Sequence, residues 1–153
     1  MIPEFKNLNQ QETELMFDAP ALVTLLIAGA EGNIEEKETD WGSKIVHFRA
    51  KDNEGILQGY YTEVEKTFKD TLSQFIETFP DNAEERGELI KKELTKLNEI
   101  LPKLNRNFAK MFYEDMRSMS KQIAKITGGI WGYGSISAEE QRYLDLEIIN
   151  PVE

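Results

Sequence analysis

Cysteine is absent from the chain and histidine occurs once, at His47. There is thus no disulfide framework, no thiolate metal site and no cysteine nucleophile, and a metal centre built on two histidines is excluded as well. Long apolar runs are missing too. The longest, residues 21–30, is about half of the roughly 18–20 residues that a membrane span needs, so no integral membrane segment is expected. Positive charge is in short supply: 18 Lys and Arg stand against 28 Asp and Glu, for a net charge of −10. Nucleic acid and anionic membranes repel a chain of that sign, and nucleic acid is not expected as a partner. The first residues lack a basic region followed by an apolar one, so the expectation is a cytoplasmic protein, or one whose signal has been removed. Nowhere does the alternation of a half-buried strand appear.

What is present is helix and connection. Hydrophobic residues make up 40% and charged residues 30% of the chain, ordinary for a globular domain. One domain over residues 1–153 is the economical reading, large enough to bury about two thirds of its unfolded surface. Residues 21–30 are apolar on nearly every side, and a helix of that kind must be covered by others. Pro20 sits most easily in a first turn, so the pattern predicts a short helix over 10–17, a cap at Asp18 and a core helix running to about residue 31. Gly32 is the natural stop. Before these helices lies a loosely attached arm with Phe5 and Leu8 as its anchors.

The next helix starts near Glu35 and carries Trp41, Ile45 and Phe48 on one stripe. A long helix over 54–79 places Leu57, Tyr61, Val64, Phe68, Leu72, Phe75 and Phe79 together, and Asp81 with Glu84 then forms a capping box. From Ile90 the steps alternate four and three through Leu94, Leu97, Leu101, Leu104, Phe108 and Met111, then slip one residue to Phe112, Met116, Met119, Ile123 and Ile126. Pro102 kinks or restarts this stripe. It is expected to pack on the preceding helix as a hairpin, and its heptad spacing also permits a homodimeric seam. A glycine-dense stretch, residues 128–134, leads to a last helix after Ser137 that ends before Pro151.

The fold class expected is therefore all-α: a compact bundle of about six or seven helices around a buried central helix, with a weak internal pseudo-repeat. The repeat sets Gly32-Asn33-Ile34-Glu35-Glu36-Lys37-Glu38 over Gly134-Ser135-Ile136-Ser137-Ala138-Glu139-Glu140. In each copy glycine turns the chain, isoleucine can bury, and a polar residue caps a helix whose third position is glutamate. That local explanation needs no function. Glycine, isoleucine and glutamate also fall at positions 6, 8 and 12 of a calcium loop of the EF-hand type, but positions 1 and 3 would be Ile27 and Gly29, without side-chain oxygens. The first bend still offers Glu31, Glu35 and Glu38, with backbone carbonyls, as candidate ligands of a divalent cation, the one cofactor the chain suggests.

The run Leu26-Ile27-Ala28-Gly29-Ala30-Glu31-Gly32-Asn33-Ile34, followed by Glu38, resembles the tellurite-resistance TerB-like domain family, whose hallmark is an apolar helix ending in Ala-Asp-Gly-x-Ile and then Glu. The later Gly-x-Ile-Ser-x-x-Glu is similar to that family's second motif. The resemblance implies an acidic all-helical bundle, divalent-cation binding at the motif and no established enzymatic role. Glu31 stands where the motif has aspartate, and the second copy has no acid before its glycine.

No catalytic constellation emerges. Asp40, Ser43 and His47 share a helix at spacings of three and four, but Ser43 lies between the other two, whereas a hydrolytic triad needs the histidine in the middle. The glycine-dense stretch lacks the lysine and spacing of a phosphate loop. Two functions follow as expectations. The first is a non-enzymatic helical interaction module with a protein partner, tuned by a divalent cation. The second is a carrier of a small hydrophobic ligand between helices, lined by Phe75, Phe79, Phe108 and Phe112.

Overall fold

A computed structural model describes residues 2–30, 33–52, 54–127 and 138–152. Seven α-helices run through them: α1 Gln10–Ala28, α2 Glu36–Ala50, α3 Gln58–Thr78, α4 Ala83–Thr95, α5 Leu97–Ile100, α6 Arg106–Thr127 and α7 Ala138–Leu144. Short 3-10 turns at Pro3–Phe5 and Leu101–Lys103 complete the set, and no strand occurs among the described residues. The protein is all-α, a bundle gathered around α1, against which α2, α3, α4 and α6 all pack. From Ala19 to Ala28 every residue of α1 is buried, as an all-round apolar helix requires. None of the described helices is long and apolar enough to cross a membrane.

The central helix is longer at its start than its proline suggests. It begins at Gln10 and continues through Asp18 and Pro20 without a break. Proline has no N–H to give to the carbonyl four residues back, and that carbonyl is Met16 O. The Tyr60 hydroxyl, reaching over from α3, donates to Met16 O instead. Asp18 is therefore an interior residue of α1, and its place as a cap is taken by Asn9, whose side chain accepts the Glu12 N–H at 2.8 Å.

At the other end α1 stops at Ala28, with Gly29 as the capping residue, earlier than Gly32. The reason lies in α4. Arg86, only 4% exposed, donates to Gly29 O at 2.7 Å and to Asp81 O at 3.0 Å. A Cβ on residue 29 would stand 2.6 Å from the Arg86 guanidinium and 2.8 Å from Leu25 O, so only glycine admits this approach. Gly42 has the same use where α2 crosses α1: a Cβ there would meet the Thr24 side chain at 2.9 Å.

Other boundaries shift by tertiary context. The third helix starts at Gln58 and not at residue 54, and α4 is capped by Asn82, accepting from Glu85 N at 2.9 Å, and not by Asp81. The stripe from Ile90 is divided among α4, α5, the Pro102 turn and α6. Its principal neighbour is α1 and not the preceding helix, so the expected hairpin does not form. Most of the stripe is spent inside the bundle, with Met111 and Ile126 left partly exposed. The N-terminal arm is anchored and not loose: Phe5 is 1% exposed and meets Phe17, Tyr60 and Phe108 edge-on.

Candidate functional site

The first glycine bend follows Gly29. Glu31 and Gly32 lie outside the described residues. Glu35 is the N-cap residue of α2, exposed, with Lys37 Nζ at 3.4 Å from its carboxylate. Glu38 is buried, and its Oε1 accepts the Glu35 N–H at 3.1 Å, one limb of a capping box. The capping part of the local explanation thus holds for the first copy, while its glycine lies outside the described residues. Gly29 O, a carbonyl that a cation loop would offer, already takes the Arg86 guanidinium, and a cationic group beside the bend opposes a second cation. No group of three or more His, Asp or Glu side chains placed to hold a metal occurs among the described residues. The second bend, with the Ser137–Glu140 capping box and the glycine-dense stretch, falls outside the described residues in the parts that matter.

A broad open groove of about 1040 Å³ lies between α2 and α3, reaching Gln122 on α6. Asp40, Ser43 and His47 do share its wall. His47 Nδ1, however, lies 2.5 Å from Glu65 Oε2 on α3, and Ser43 makes no hydrogen bond to His47. The acid that orients the histidine is therefore Glu65, which no pattern within α2 could indicate. The buried stripe of α2 runs through Glu38, Gly42, Ile45, Val46 and Ala50. Phe48, which its spacing sets on one stripe with Trp41 and Ile45, falls off the buried stripe and is 78% exposed at the groove's edge. Lys44, Lys66 and Lys69 line the same groove, as do Asp40, Glu65 and Asp70, and Lys44 Nζ lies 5.6 Å from the Trp41 ring centre.

No family model, curated protein or solved structure matches this chain. The site must be read from its own chemistry.

The helices are also tied by a half-buried polar network, whose Arg49 lines the groove. Arg49 donates to Tyr61 OH at 2.8 Å and to Asp115 O at 3.1 Å, and Tyr61 OH donates to the Asp115 carboxylate at 2.9 Å. Burial pushes the Asp115 carboxyl upward, against the pull of Arg49 and the Tyr61 hydrogen bond. Each member has its partners, so the network fixes α2, α3 and α6 relative to one another. It braces the walls of the groove.

The four phenylalanines proposed for a ligand cavity are divided. Phe108 and Phe112 are buried edge-on against Tyr60. Phe75 and Phe79 are half-buried, their ring centres 5.3 Å apart, and line a different, open cleft beside α1.

Proposed function

We propose that this chain is a non-enzymatic helical interaction module, TerB-like in kind, and that its working surface for a protein partner is the α2–α3 groove around Phe48. The observation that carries the reading is a phenylalanine 78% exposed on a helix whose other face is well buried. An exposed aromatic at the edge of a groove is the kind of anchor that interfaces bury, and little of it is spent on this fold. A divalent cation at Glu31, Glu35 and Glu38 belongs to the same reading but has less geometry behind it, because Glu38 already serves the cap. Titration calorimetry with calcium, magnesium, manganese and zinc tests that part; no heat and an unchanged melting temperature remove it.

The module reading is tested by comparing wild type with Phe48→Glu, which should fold with unchanged circular dichroism. Cross-linking and affinity capture are expected to retain self-association or a defined partner for wild type and lose it for the variant. Equal capture by both would reject the groove. A second reading, a carrier of a small hydrophobic ligand, is favoured only by the half-buried Phe75–Phe79 pair. Titration with a fluorescent fatty acid checks it, and saturable binding abolished by Phe79→Ser would support it.

A further inference from the structure

Beside α1, with no lining residue in common with the Phe48 groove, the end of α3 and the α4–α5 segment form a cleft of about 570 Å³, a volume typical of ligand sites. Its floor is apolar, made by Leu15, Leu22, Phe75, Phe79 and Ile100. Its rim is acidic: Glu12, Glu14 and Asp18 project from α1, and Glu93 and Glu99 face them from the other wall. Two of these acids are neutralised within the protein, Glu12 by Lys103 at 2.6 Å and Glu93 by Lys96 at 2.9 Å. The Glu14 carboxylate takes only the Gln10 amide, at 3.2 Å, and no hydrogen bond or ion pair to the Asp18 and Glu99 carboxylates occurs among the described residues.

We propose that this cleft is a docking site for a cationic amphipathic helix, its apolar side chains on the Phe75–Phe79 floor and its lysines or arginines on the carboxylate rim. Charge complementarity commits the occupant. Glu14 and Asp18 stand one turn apart, a like-charge pair that weakens a helix. Burial, Glu14 and Glu93 together raise the Asp18 carboxyl to about 6, so the empty cleft holds carboxylates at a cost to the fold. An arriving cation relieves that cost. The floor decides between kinds of cation: a small polyamine would satisfy the rim and leave Phe75 and Phe79 wet, whereas one face of a helix covers both. The row of acids lies on the part of α1 that precedes Pro20. This surface is separate from the Phe48 groove, and the proposal does not depend on it.

The probe is a fluorescently labelled synthetic helix of about 14 residues, some four turns, with leucines at i, i+3, i+4 and i+7 and lysines elsewhere. Anisotropy titration against the full chain near neutral pH should show saturable one-to-one binding. Glu14→Lys, at an exposed position that leaves the fold intact, and Phe79→Ser should each weaken it by about tenfold or more. Phe48→Glu should leave it unchanged. Affinity should fall between pH 7 and 5 as Asp18 takes up a proton, facing Glu14 on its own helix, Glu93 and Lys96 from the α4 end and Glu99 from α5. Near pH 6 binding should release protons, read as heat that varies with the buffer. The proposal is overturned by absence of binding, by equal affinity for Glu14→Lys, or by equal affinity for spermine or for a scrambled peptide lacking an apolar face. The last pair of outcomes would mean attraction to the net charge alone.

Discussion

At its first turn α1 is closed by its own neighbours: Asn9 accepts the Glu12 N–H, and the Glu12 carboxylate accepts the Asn9 N–H at 3.0 Å, three residues apart. At its last turn the same helix is closed by Arg86, 57 residues along the chain. Midway, the gap left by Pro20 is filled by Tyr60, 44 residues from the carbonyl it serves. The N-terminal cap is exposed, so water can replace it. The other two repairs are buried, and nothing else stands ready to take over. The difference teaches that a helix satisfied by distant side chains depends on the fold being formed, while one satisfied locally helps to form it.

The largest expected effect is at the distant end. Arg86→Met keeps the stem but removes the donors from Gly29 O and Asp81 O, and should cost about 3 kcal/mol in urea unfolding. A cost under about 0.5 kcal/mol would mean that water closes α1 there, and the contrast between its ends would disappear. Next comes Tyr60→Phe, which leaves Met16 O buried without its hydroxyl and should cost about 2 kcal/mol. In a Pro20→Ala background the restored N–H can reach Met16 O, so the same change should cost about 1 kcal/mol less; a coupling of zero would break the link between the proline and the tyrosine. Asn9→Ala removes a local cap and should cost about 1 kcal/mol.

This ranking also explains what could be read from the sequence. The all-helical class, the buried helical run from Ala21 to Ala28, the start at Gln10 and the Glu35–Glu38 box all follow from signals within a few residues of each other. The break at Pro20 and the stop at Gly32 were inferred from the same kind of signal and failed, because Tyr60 and Arg86 act from other helices. Phe48 was misplaced for a related reason: its spacing from Ile45 suits a core stripe, yet Gly42 and Ala50 define the buried face, set by the close crossing at Thr24. Of the candidate ligands Glu31, Glu35 and Glu38, the pattern gave the cap correctly, and the cation remains a proposal. The acidic cleft could not be read at all, since its rim comes from residues some 80 positions apart that only the tertiary fold brings face to face.

The smallest effect separates the two views of Asp18 most cleanly. If Asp18 were a helix cap, Asp18→Asn would be nearly neutral, because asparagine caps as well as aspartate. As an interior residue it behaves differently. Its carboxyl is raised from 3.8 to about 6, chiefly by burial and then by Glu14 and Glu93. The folded state thus holds a proton that the unfolded state releases, and stability falls as pH rises between those two values. Above pH 6 the charged carboxylate is a burden on the fold, reduced by the solvent that reaches its exposed part. Asp18→Asn should therefore stabilise the protein by under about 1 kcal/mol at pH 8. The gain should shrink as pH falls through 6 and vanish below about 4, where aspartate is neutral in both states. Urea midpoints of the two proteins at pH 8 and pH 4 check this. A constant difference across that range would mean that the carboxyl is not shifted by its surroundings and would remove the strain that ties it to a cationic partner.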